Sequence, residues 1–96
     1  MGAETFTQEG IGRTAKEAFT NAYEQACYDF GHRGYTGSMA EKDDFIEIEL
    51  PEGMDAEEYA RNLIREDDER IEDKWGPAGC LKIEEGNYLF FGWASS

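Results

Sequence analysis

Ninety-six residues suffice for one domain with a single modest core, because a chain of this size buries only somewhat over ~60% of its unfolded surface. Hydrophobic residues at 40% and aromatic residues at 14% exclude a disordered acidic tail, and no apolar run approaches the ~20 residues that span a bilayer. The net charge of −13, from 22 acids and 9 bases, argues against nucleic acid or an anionic membrane as direct partner and favours a basic protein.

The first residues, Met-Gly-Ala-Glu-Thr-Phe, lack both a basic n-region and an apolar h-region, so neither secretion nor membrane insertion is expected. Residues 4–9, ETFTQE, alternate enough for an edge strand. The period then changes. Ala15, Ala18, Phe19, Ala22, Tyr23, Ala26, Cys27 and Phe30 form one helical stripe, with Thr14 and Glu17 spaced as a capping box and Gly31 placed to end the helix. The alanines on that stripe imply close packing.

Residues 31–42, GHRGYTGSMAEK, join this helix to the next periodic segment. In DDFIEIEL the period is two, with Ile46, Ile48 and Leu50 facing one way and Glu47 and Glu49 the other, about 6.6 Å apart on an acidic strand face. Asp55 caps a second helix, with Glu58 at the box position. Tyr59, Ala60, Leu63, Ile64, Ile71 and Trp75 give that helix its stripe, which Asp67 interrupts. Either Asp67 is a carboxylate half-sunk in the core or the helix breaks there and delivers it to water; the cost of burying an unpaired carboxylate favours the break. Glu57 with Arg61, and Glu66 with Arg70, are spaced for ion pairs one turn apart.

The segment CLKIEEGNYLFFGW reads as a hairpin turning at Glu85-Gly86-Asn87. Its second strand, Tyr88 to Trp93, is apolar on both faces, which marks either a central strand covered on both sides or an exposed aromatic patch for a second copy. The expectation is a single α+β domain over residues 1–96: a small, mainly antiparallel sheet in the order β-α-β-α-β-β, with two helices packed on one face.

Chemistry is sparse. His32 is the only histidine, and Tyr35 beside it is the one companion for a small enzyme, with no serine at a strand-to-helix elbow. The glycines of GHRGYTG follow a helix and precede a strand, the reverse of the order that cradles phosphate. Cys27 and Cys80 fall in no metal-ligand pair and read as buried thiols rather than a bridge. No calcium loop or other metal spacing occurs, so no catalytic residue, cofactor or metal is assigned.

The acids remain. Residues 41–73 hold 15 of them against 4 bases, whereas residues 1–40 hold 5 against 3 and residues 74–96 are balanced. A domain of this length is about 32 Å across, and duplex DNA of that length carries roughly 19 phosphates. The candidate partner-binding set is Asp43, Asp44, Glu47, Glu49 and Glu52 around the strand, with Asp55, Glu58, Glu66, Glu69, Glu72 and Asp73 on the outward side of helix two. A rigid acidic surface of this kind fits a site built for nucleic acid.

Ala18-Phe19, Ala22, Ala26, Tyr28, Gly31-His32, Gly34-Tyr35-Thr36-Gly37 and Ala40-Glu41-Lys42 resemble a segment of small phage and mobile-element proteins, among them anti-CRISPR proteins and their neighbours. The likeness covers residues 14–46 and departs at Ser38-Met39, where a Thr and a β-branched residue are expected. It assigns no site residue. What it implies is a phage-borne protein in the bacterial cytoplasm acting on host defence, and several anti-CRISPR proteins are acidic DNA mimics. The expected function is non-enzymatic inhibition of a CRISPR effector of the multi-subunit, Cascade type. The alternatives are an interaction module that dimerises through Tyr88–Trp93, or a small enzyme using His32.

Overall fold

The computed structural model describes residues 3–30, 42, 44–73 and 76–95. Of residues 31–42, expected to join the first helix to the next strand, residues 31–41 with His32 and Tyr35 lie outside the described residues, as do Asp43 and Trp75. Six elements follow in chain order: β1 (Ala3–Ile11), α1 (Ala15–Phe30), β2 (Phe45–Glu47), α2 (Ala56–Arg65), β3 (Ala78–Glu84) and β4 (Asn87–Ser95). The order β-α-β-α-β-β and the mainly antiparallel α+β class are as the sequence implies. The sheet runs β1-β4-β3-β2, antiparallel except where β2 pairs parallel with β3.

β4 holds the centre because it is apolar on both faces. Tyr88, Phe90 and Ala94 join Ala18, Ala22 and Ala26 of α1 in one core cluster. Leu89 and Phe91 join Ala60 and Leu63 of α2 in another. Successive residues of a strand point to opposite faces, so each helix covers its own face of the sheet instead of the two sharing one. The physical reason is β4 itself: Phe90 and Phe91 are both fully buried, and a helix on one side could shield only one of them.

α1 starts as its capping residues dictate, with the Glu17 amide donating to Thr14 Oγ1 at 3.1 Å. It lies so close to β1 that a Cβ on Gly10 would come within 2.5 Å of the Ala18 carbonyl oxygen. Phe19 reaches inward from α1 to Phe90 and Phe45, with ring centroids 5.5 and 5.0 Å away.

α2 starts at Asp55, whose carboxylate accepts from the Glu58 amide at 3.1 Å. It ends at Arg65, at the break expected near Asp67, and among the described residues it does not resume along the stripe to Ile71. Asp67 takes a left-handed φ of 52°, its amide donates to Ile64 O, and the Asp68 amide donates to Leu63 O, both at 3.1 Å. These are the two bonds of a Schellman ending, which satisfies the last helical carbonyls and turns the Asp67 side chain to water. Ile71 therefore enters the core from a turn, not from a helix.

Candidate functional site

The acids of residues 44–73 fall into three groups. In the first, at the β2 edge, the Asp44 carboxylate accepts from the Phe45 amide at 2.8 Å and its carbonyl accepts from the Ala78 amide at 3.0 Å. Glu47 and Glu49 are exposed and line an open groove of about 610 Å³ with Leu50, Cys80, Lys82 and Tyr88. The strand is less regular than its alternation implies. Only Phe45–Glu47 pair with β3, Ile46 is 37% exposed, and Phe45 packs against Phe19 and Phe90. An edge strand has one neighbour to hold it, so its pattern is weakly enforced. Burial, with Glu47 nearby as a second cause, pushes the Cys80 thiol up to about 12, which keeps it protonated and unreactive.

The second group is Glu52 in the turn before α2 and Asp55, Glu57 and Glu58 at its start, all exposed. The positive end of the helix dipole favours these carboxylates. Two arginines interrupt them: Arg61 meets Glu57 at 3.8 Å, and Arg61 and Arg65 share a shallow hollow with Asp55 and Glu58. The outward side of α2 is thus mixed in charge.

The third group corrects the placement of four residues. Glu66 caps α2, and Glu69, Glu72 and Asp73 lie beyond it in turns, all exposed, not on the outward side of a long helix. Arg70 does not pair with Glu66 but grips Asp68, Nε to Oδ1 at 2.9 Å and Nη2 to Oδ2 at 2.8 Å. This bidentate bond holds the Asp68 carboxyl well below the usual range, at about 2.

Lys42 was not legible in the sequence as anything but one base in an acidic run. It is 1% exposed, and its Nζ donates to Gly76 O at 2.9 Å and Asp73 O at 3.4 Å. The bonds tie the start of β2 to the turn before β3, which brings Asp44 and Asp73 to the same end of the molecule. No periodicity marks such a residue, because the carbonyls that its Nζ reaches lie more than 30 positions away.

No family model, curated protein or solved structure matches this chain. Surface chemistry therefore carries the functional reading. Among the described residues no group of three or more His, Cys, Asp or Glu could hold a metal ion, and no helix is long and apolar enough to cross a membrane. Leu89, Phe90 and Phe91 are at most 1% exposed at the centre of the sheet and Trp93 is half-buried, so Tyr88–Trp93 is a covered central strand, not an exposed aromatic patch.

Proposed function

We propose that the chain is a non-enzymatic inhibitor whose acidic residues occupy a basic, nucleic-acid-binding surface of a bacterial defence complex. The observation that carries this reading is the burial of Lys42. With that base withdrawn, the described part of the acidic third turns Asp44, Glu47, Glu49, Glu52 and the acids around α2 to solvent against Arg61, Arg65 and Arg70 alone. The molecule is 37 Å in its longest dimension, a length over which duplex DNA carries roughly 22 phosphates, about half of them towards any one side. With 15 acids against 4 bases, the net charge of −11 over residues 41–73 matches the phosphates on one side.

Charge of this density acts mainly by steering encounter and by excluding the competing polyanion. The likeness of residues 14–46 to small phage proteins, several of them anti-CRISPR proteins, supports a Cascade-type effector in the bacterial cytoplasm as the target. Capture of the purified effector by immobilised protein, with duplex DNA as competitor, tests the reading. The expected result is that duplex DNA displaces the effector, that capture weakens steeply between low and moderate salt, and that the double substitution Glu47→Lys, Glu49→Lys reduces it at least tenfold. Capture indifferent to both DNA and the double substitution would overturn the acidic-surface mechanism.

A further inference from the structure

β1 is an edge strand of nine residues whose outer side has no partner among the described residues. Its pairing with β4 is unbroken from Ala3↔Ser95 to Ile11↔Asn87, and the Gly12 amide extends it by donating to Gly86 O at 3.1 Å. In an antiparallel ladder only alternate residues bond to a given neighbour. Counting back from Gly12, the even positions bond to β4, and Thr5, Thr7 and Glu9 turn their amides and carbonyls outward. Ile11 shows the same phase, because its outward carbonyl is taken by Asn21 Nδ2 of α1 at 2.7 Å. That contact closes one end of the edge. Further along, α1 leans inward through Phe19 towards Phe90 and Phe45, and Thr5, Thr7 and Glu9 stay exposed.

The geometry points to a second copy of this chain as the occupant of that edge, joined antiparallel about a two-fold axis at Thr7. The outward groups are symmetric about Thr7, so Thr7 meets the other copy's Thr7, and Thr5 meets its Glu9, in about six backbone hydrogen bonds. Charge complementarity supports the same register. Thr5 and Thr7 line a shallow groove with Glu57, Arg61 and Ile64 of α2, and Arg61 holds its own Glu57 only at 3.8 Å. The incoming Glu9, beside Thr5 on that face, lies within reach of Arg61. Residues 1–40 hold only 5 acids against 3 bases, the acidic β2 edge is three strand spacings away, about 14 Å, and of the acids at the start of α2 only Glu57 lines the groove, where Arg61 is paired with it. The other edge of the sheet, β2, is three residues long and carries the exposed Glu47, so it offers β1 fewer bonds than a second β1 does.

Sedimentation and cysteine cross-linking test it. The wild-type chain should sediment at twice its 10.9 kDa mass at high concentration. Thr7→Pro, which removes only an outward amide and leaves the β4 ladder intact, should sediment at the single-chain mass with an unchanged circular dichroism spectrum. Thr7→Cys should form a covalent dimer on mild oxidation, because residues of a directly bonded antiparallel pair have Cα atoms about 5.5 Å apart, within disulfide reach. Thr5→Cys should cross-link many-fold more slowly, its symmetry mates being about 14 Å apart. Cys27 and Cys80 are buried and do not compete. A single-chain mass up to the solubility limit, a dimeric Thr7→Pro, or equal cross-linking at positions 5 and 7 would each overturn the proposal. If Thr7→Pro fails to fold, the comparison of the two cysteine variants decides.

Discussion

Arg70 donates to Asp68 with three groups, its backbone amide, Nε and Nη2, and holds the carboxyl at a pKa of about 2 where an unfolded chain has 3.8. A carboxylate whose pKa falls on folding adds stability above its unfolded value and loses that contribution as pH drops through the folded one. The window is therefore pH 3.8 down to 2. Asp68→Asn should show a shallower loss of stability than the wild type across that window in denaturant titrations. At neutral pH the wild type should be ahead by less than about 1 kcal/mol, because water and salt screen a pair of this kind at the surface. Glu66 and Arg70 are spaced to pair one helical turn apart, but the helix that would align them stops at Arg65. Lys42 is the opposite case. Its neighbours in sequence are acids, whereas in space its Nζ reaches the carbonyls of Asp73 and Gly76, and only the folded backbone brings those within reach.

α1 was legible nearly to the residue, since Ala18, Ala22 and Ala26 recur at helical spacing and Thr14 supplies a cap. The end of α2 was legible as a break at Asp67 but not in its form. A non-glycine residue at the left-handed position of a Schellman ending carries steric strain that glycine lacks. Asp67→Gly should therefore stabilise the protein by up to about 1 kcal/mol in chemical denaturation, and a β-branched Asp67→Val should cost at least as much. The spacing of Ile71 and Trp75 continues the helical stripe by coincidence and so suggests a helix for the acids from Glu69 to Asp73; Ile71 reaches the core from the turn that follows. The parallel pairing of β2 with β3 was hidden for a different reason. Sequence marks where strands are, but which edge receives β2 depends on where α2 crosses the sheet. The allocation of one helix to each face could have been read from Phe90-Phe91, two adjacent aromatics that no single covering layer can bury.

At the scale of the whole molecule, a net charge of −13 on a body with a radius of gyration of 12.2 Å means mutual repulsion among carboxylates in the folded state. Salt shortens the Debye length from about 30 Å at 0.01 M to about 10 Å at 0.1 M and relieves that repulsion. The melting temperature should rise with sodium chloride over this range, by about 4–8 °C for each kcal/mol relieved in a domain of this size. A melting temperature that falls with salt would mean that ion pairs such as Arg70 with Asp68 outweigh the repulsion. The candidate surface itself was only partly legible: the acids were countable, but their division among an edge, a helix start and a set of turns was not. The pairing of β1 with β4 has a further consequence, in time as well as in space. Ala3 lies opposite Ser95, so the core of the sheet joins residues more than ninety positions apart. On the ribosome, β1 and α1 emerge with no β4 to rest on, and Gly10, Phe6 and the alanine stripe wait uncovered until almost the last of these residues is made. The sheet cannot close before β4 emerges, and a nascent chain halted anywhere before Leu89 should hold an apolar helix face and an unpaired strand for a chaperone to recognise.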